Sequence, residues 1–431
     1  MTICGLDFGT SNSTIGVSVN NEQTMVPLEQ DINGEWKTTL PSALFFDDES
    51  DHIAFGRDAI TRYTRGEPGR LMRSMKNLLG QSTMNGSTQV KNKLYTYDQI
   101  IGFFVESLKQ RAEAHISSET SSLQSVVMGR PVHFNDTDPA LDSAAEEHLA
   151  SIAKIAGFKE VSFQFEPIAA ALDYEKQVRS EELALIIDIG GGTADFTLIR
   201  LSPERQQQDN RHDDLLGNHG IHIGGNDFDC RLSIEGVMPE FGLGMPMSDR
   251  PSMLMPSRYY YDLATWHKIH LLYTPTVKRE LQQLRLNVSD KHKMDNLLEL
   301  LHNRKGHRLA SLVEAAKIEL SSKFESTIDL QSLFSADWEL ESGNCVLTQQ
   351  QLNNVLSSDI EKIFLAVDET LNQAALSSQD INTVFTTGGS TALPIVKDCI
   401  NNKFPHARIM EGDLYNSVGS GLLMESVKRY R

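Results

Sequence analysis

Two short stretches hold residues whose types and spacing could do chemistry. "GLDFGTSNSTIGV" (5–17) and "DIGGGTADFTLI" (188–199) each end an apolar run on an aspartate, Asp7 or Asp188. Each then turns through glycine and threonine into a second apolar run. A tight Gly/Ser/Thr turn points several backbone N–H groups into one concavity, an anion nest suited to phosphate. Glycine serves because a side chain would block close approach. The hydroxyls of Thr10, Ser11, Ser13 and Thr193 add donors. A carboxylate beside phosphate repels it, so Asp7 and Asp188 make sense with a cation between. Mg2+, held through waters and phosphate oxygens, is the expected ion. Two such turns from two halves of the chain would clamp a triphosphate from both sides.

A single D-x-G-x-T hairpin is most often only a hairpin. Here two copies align, and two further glycine turns follow: Gly224-Gly225 in "HIGGNDFDCRL" (222–232) and Gly388-Gly389 in "TVFTTGGSTALP" (383–394). The chain lacks G-x-x-x-x-G-K-[ST], which excludes a P-loop, and the triple glycine is not a G-x-G-x-x-G dinucleotide fingerprint.

The elements that must position these turns are legible in outline. "TICGLDF" and "TIGVSVN" read as two strands about one turn, and "LALIIDI" and "ADFTLIRL" repeat the unit about 180 residues later. Similar units at domain-scale separation predict an internal duplication with two facing lobes. The expected division is lobe I over 1–179, with a C-terminal helix over 405–431 packing back on it, and lobe II over 180–404. Asp138-Pro139 reads as a helix N-cap and first residue, Gly157 as the C-terminal cap, and Glu166-Pro167 as another helix start. "LASLVEAAKIELSSKF" (309–324) carries the apolar stripe Leu309, Leu312, Val313, Ala316, Leu320. Residues 202–219 read as an exposed polar loop or hairpin. The segment 240–306, within an insert of about 233–308, reads as an independently packed subdomain. Its Tyr259-Tyr260-Tyr261 and Trp266 would form either a local core, the favoured reading, or a partner surface.

Composition narrows the classes. The chain has 431 residues, 40% hydrophobic and 23% charged, as in a globular protein of two or more domains. No apolar run approaches the roughly 18 residues of a membrane span, and no signal peptide is visible, so a cytoplasmic location is expected. Four cysteines without C-x-x-C spacing argue against zinc and a disulfide framework. A net charge of −18 disfavours nucleic acid and anionic membranes. It also repels ATP, so a nucleotide site needs local donors and a divalent cation.

These motifs resemble the actin-like ATPase superfamily, and within it the ATPase domain of DnaK-type (heat-shock-protein-70) chaperones. The two hairpins look like that family's phosphate hairpins, and "SMKNLLG" (74–80) like its lysine segment. "PVHFNDTDPALDSAAEEHLASIAKIAGF" (131–158) and "FEPIAAALDYE" (165–175) follow its connecting region. "IGGNDFDCRL", "EAAKIELSS" and "GGSTALP" resemble its later motifs, in the right order. The resemblance implies an α/β fold of two lobes, each on a ribonuclease-H-like sheet with flanking helices, and nucleotide in the cleft between them. It implies ATP or ADP with Mg2+, and K+ as a further ion, slow ATP hydrolysis, and a protein partner or co-chaperone.

By position, Asp7, Asp188 and Asp195 would organise Mg2+ mainly through water. Gly9, Thr10, Ser11, Asn12, Gly190, Gly191, Gly192 and Thr193 would contact phosphates, with Gly224 and Gly225 beside them. Lys76 would sit near the terminal phosphate and Glu166 would orient the attacking water. Thr193 joins Asp7, Asp188, Lys76 and Glu166 in the catalytic set. Glu314, Lys317 and Ser321, spaced by three and four, fall on one helical face and would contact the nucleoside, with Gly388, Gly389 and Ser390 closing over it. Taken singly, Lys76 would be a solvated surface lysine and Glu166 a helix-start carboxylate favoured by the macrodipole.

The departures are specific. Ile318 and Ala392 stand where the family has two adenine-stacking arginines. Each lost contact is worth about 0.5–2 kcal/mol, roughly a few-fold to thirtyfold in affinity. Asn226 replaces a family glutamate. Pro131 matches the proline switch, but Pro139 stands at the relay arginine, leaving Arg130 as the substitute. The last helix reads as the close of the ATPase fold, with no peptide-binding domain expected after it. The competing readings are a small-molecule (sugar) kinase on the same fold, a filament-forming actin relative and a non-hydrolysing nucleotide sensor.

Overall fold

The computed structural model describes the chain except residues 1–2, 21, 32, 117–121, 136–137, 176–177, 206–207, 209–210, 339, 341–342, 412–416 and 431. Two mixed sheets carry the architecture. In the first, strand Ile3–Phe8 pairs antiparallel with Asn12–Val19, which pairs antiparallel with Glu22–Met25. On its other edge Ile3–Phe8 pairs parallel with Ser125–Arg130, and that with Glu160–Phe165. The second sheet repeats the scheme. Glu182–Ile189, Ala194–Leu201 and Leu215–Ile221 form the antiparallel meander, and Thr383–Thr387 and Arg408–Glu411 add in parallel. Both sheets thus have the spatial order 3-2-1-4-5, the duplication that the paired glycine motifs predict.

Each sheet buries a face against helices. Cys4, Leu6 and Phe8 pack with Ile100, Phe104, Leu149 and Ile152. A third cluster lies between the sheets, where Val127 meets Ile168, Ala169 and Ala170 of helix Glu166–Glu175, Leu422 of helix Ser417–Tyr430, and Ala184 and Ile186 of the second sheet. These two helices therefore join the halves at the base, leaving the glycine turns at the rim of a cleft.

The helix starts follow local chemistry. Asp138 caps Pro139–Ile155, accepting from the N–H of Ala140 at 2.9 Å and of Leu141 at 3.3 Å, and Gly157 closes it at φ +87°. Asp138→Ala is expected to cost about 1 kcal/mol, read as a shift in the urea unfolding midpoint.

Three expectations need correction. The C-terminal helix begins at Ser417, not 405, because Arg408–Glu411 is taken as an edge strand. That short Ile-Met run lies between Pro405 and Gly412, too short for a helix and able to complete the sheet. The 240–306 segment is not packed by itself. Met245, Tyr260, Leu297 and Leu300 share one cluster with Leu185, Ile187 and Phe196 of the second sheet. Tyr259 and Tyr260 are core, while Tyr261 is exposed. The stretch 202–219 is not simply exposed. Leu215–Ile221 is a strand, and Arg211 and Asp214 are buried. Arg211 goes inside because it meets Asp214 and both Glu175 oxygens, at 2.8 Å each, and buried charge is tolerated only when paired.

Candidate functional site

The site is assembled by glycines that let backbones touch. A Cβ on Gly191, in the second hairpin, would lie 2.0 Å from Ser11 Oγ of the first. A Cβ on Gly9 would lie 2.1 Å from the Asn12 carbonyl oxygen, and one on Gly388, where φ is +81°, 2.4 Å from that of Ile189. The Gly190 carbonyl accepts from the N–H of Gly225 at 2.9 Å and from Ser390 Oγ at 3.3 Å, and the Gly191 carbonyl from the N–H of Asn226 at 2.7 Å. Gly224 lies against Gly192, at 2.7 Å from its nitrogen for an added Cβ. The second hairpin is thus the hub on which the third and fourth turns close.

Lys76 sits in the short turn Met75–Leu78, entered through Ser74 at a left-handed φ of 56°, a conformation non-glycine residues seldom adopt. That turn aims Nζ at Glu166 Oε1, 2.6 Å away, both side chains little exposed. Glu166 begins its helix, and Glu175 ends it in the grip of Arg211, so the catalytic candidate stands on an element fixed at both ends. Thr193 Oγ1 donates to Asp195 Oδ2 at 2.8 Å.

Five charged groups from five elements share one field: Asp7, Lys76, Glu166, Asp188 and Asp195. Burial, reinforced by Glu166, holds the Asp7 carboxyl above its ordinary range, with Lys76 opposing. Burial followed by the charges of Asp195, Glu166 and Asp7 pushes Asp188 up to about 8. Burial works against the Lys76 charge, but Glu166 and Asp7 outweigh it and hold its pKa above the usual value. Four carboxylates crowd one ammonium, and the excess negative charge is what a divalent cation would relieve. Among the described residues no group of three or more His, Cys, Asp or Glu side chains is placed to hold a metal ion.

The nucleoside candidates split. Lys317 Nζ donates to the Gly225 carbonyl at 3.0 Å and pairs with Asp229 at 2.8 Å, which ties its helix to the third glycine turn. Glu314 instead makes a two-pronged pair with Arg73 of the first half, at 2.9 and 3.1 Å. Ser321 turns back on the Lys317 carbonyl at 3.5 Å, and Gly389 is exposed. Ile318, at one missing arginine, is 61% exposed. Arg130 pairs with Asp142 and Glu146 inside the first half.

Sequence reasoning missed Asn77, which touches both hairpins. Its Oδ1 accepts from Thr10 Oγ1 at 3.2 Å, and its amide would lie 2.7 Å from a Cβ on Gly192. The signal was adjacency to Lys76. It also missed the roof of the cleft. Arg73 lies over the Trp266 ring, 4.6 Å from its centroid. Tyr63 donates to His307 Nδ1 at 2.6 Å, because His307 Nε2 faces the Trp266 carbonyl at 3.1 Å and must carry the proton. Burial depresses the His307 pKa to about 3, so the ring is neutral.

Two sheets of one strand order, facing across a cleft lined by glycine turns and buried acids, are the architecture of the actin-like ATPases. A profile of the Hsp70 protein family matches residues 3–243 and 282–413. The chain belongs to the Hsp70 family, ATP-binding chaperones whose members are ATPases that bind ATP or ADP with Mg2+ and work with co-chaperones. The internal residues it leaves out, 244–281, fall within the 240–306 segment. No helix of the described residues is long and apolar enough to cross a membrane.

Proposed function

We propose that this chain is a Mg2+-dependent ATPase whose two halves close on nucleotide and open after hydrolysis, and that it assists protein folding or assembly together with a protein partner. The observation that carries this reading is the convergence of Asp7, Lys76, Glu166, Asp188 and Asp195 at the lips of two glycine hairpins. Asp7, Asp188 and Asp195 would hold Mg2+ through water. When bound, the ion neutralises charge on the phosphate oxygens. The backbone N–H groups of 9–12 and 191–193 bind phosphate, that of Gly190 being held by the Thr193 carbonyl at 2.9 Å, and Lys76 Nζ sets a positive charge beside the terminal one. Glu166 Oε1 orients the attacking water and accepts its proton. Phosphoryl transfer asks for positioning and charge neutralisation more than a strong base, and this set provides both.

The hairpins already touch at Ser11 and Gly191, so nucleotide enters only when the halves part. The test is calorimetric titration with ATP and ADP, with and without Mg2+. Saturable binding strengthened by Mg2+ is expected, and no binding of either nucleotide would end the proposal. Asp188→Asn is expected to weaken Mg-ATP binding by about 10–100-fold, the usual cost of a lost metal-orienting partner. Metal-free ATP binding should stay about the same at pH 7, where burial and its acidic neighbours keep Asp188 largely protonated, and should tighten above pH 8, where the substitution removes a repelling charge. The same titrations read both.

A further inference from the structure

The cleft contains more space than the proposed hydrolysis needs. A cavity of about 1240 Å³ begins at Thr10, Lys76, Glu166 and Thr193 and runs away from the nucleoside candidates, none of which lines it. An attacking water takes about 30 Å³, and small-molecule sites take about 300–1,000 Å³. The space is not simply a gap between open lobes. Above it the halves meet through Tyr63–His307 and Arg73–Glu314, and at the hairpins through Ser11 and Gly191. The closed molecule keeps it.

We infer that this cavity is the binding site of a second ligand: an uncharged, polyhydroxylated small molecule of mono- to disaccharide size, seated beside the terminal phosphate. The inference rests on reading the Lys76–Glu166 end as the phosphate end.

The lining chooses the chemistry. Four Lys or Arg side chains face four carboxylates, so the wall has no net charge to select an ion. Six of the chain's thirteen histidines line it. Burial lowers the pKa of His267, His270 and His307, so these rings are neutral at pH 7, each offering one donor and one acceptor. Five carboxamides add both kinds of group, and five aromatic side chains, Trp266 and Tyr97 among them, supply flat apolar faces. Balanced planar hydrogen-bonding groups interleaved with aromatic faces match a ring that bears hydroxyls at its edge and C–H groups on its face.

The test uses the whole chain saturated with Mg-ADP, titrated by calorimetry with D-glucose, trehalose and myo-inositol, and with D-gluconate as the charged comparison. At least one neutral probe is expected to bind saturably and more tightly than gluconate. His267, a lining residue outside the proposed phosphate site, is replaced in His267→Trp to fill the space. That variant is expected to lose probe binding at least about tenfold while ADP binding is unchanged. No saturation by any neutral probe, tighter binding of gluconate, or full binding by His267→Trp overturns the inference. The titrations are repeated without nucleotide: probe binding there, with no ADP binding, counts against the ATPase reading alone.

Discussion

Lys76→Ala is expected to lower phosphate release by about 10²–10³-fold, the usual loss when one preorganised charge-stabilising group is removed, while ADP affinity changes little. The asymmetry follows from position. Lys76 Nζ is bonded to Glu166 Oε1 and lies at the cavity end, whereas in the proposed reading backbone amides of the glycine hairpins would supply most of the grip on the inner phosphates. Those amides stay in place in the variant. What is lost is the one ammonium amid four carboxylates. Without it, Asp7 and Asp188 lose the positive charge that opposes their upward shift, Glu166 Oε1 loses its partner, and no ammonium is left to offset the charge of the terminal phosphate. Binding therefore survives and turnover fails. Single-turnover phosphate release and ADP calorimetry on the same preparation separate the two. A thermal melt shows whether the variant is folded. Phosphate release at the wild-type rate would remove Lys76 from the terminal-phosphate site and, with it, the assigned role of Glu166.

The parts of the fold that were legible from sequence share a property: their signals are local. The two hairpins announce themselves by apolar runs about glycine turns, and Asp138-Pro139 and Gly157 mark a helix because caps are satisfied within a few residues. The duplication was visible for the same reason, since each hairpin is a self-contained phrase. The missed parts depend on residues distant in the chain. Arg73 finds Glu314 across 241 positions and Arg211 finds Glu175 across 36. Neither pair has a period or spacing to betray it, and both arginines look like surface residues until partners are known. The same limit explains 240–306. Tyr259 and Tyr260 are core as read, though Tyr261 is exposed, but no pattern tells whether a core is private or shared. Arg408–Glu411 was misread because four residues carry too little periodicity to separate strand from helix. At the candidate site, the glycines were legible because close backbone approach demands that type, as at Gly191 against Ser11. Asn77 was not, because an amide beside a lysine has many uses.

Gly421→Ala is expected to destabilise the protein by about 1–3 kcal/mol, the usual cost of overpacking, although the substitution improves helix propensity. Gly421 lies inside helix Ser417–Tyr430, where alanine is favoured over glycine by up to about 1 kcal/mol. Geometry opposes that gain. A Cβ there would lie 1.8 Å from the Ala169 carbonyl oxygen and 2.5 Å from its carbon, both backbone atoms that no rotamer can move. Relief requires the helix Glu166–Glu175 to slide away, which also draws Glu166 from Lys76. Gly419→Ala makes the internal control. Its added Cβ would meet Thr14 Oγ1 at 2.2 Å and Met25 Cε at 2.8 Å, side-chain atoms that can swing aside, so its cost should be smaller. Urea unfolding of both variants beside wild type gives the comparison. Stability of Gly421→Ala equal to or above wild type, or below it by no more than Gly419→Ala, would mean that the two helices at the base are not in backbone contact. The close packing that fixes Glu166 would then be wrong.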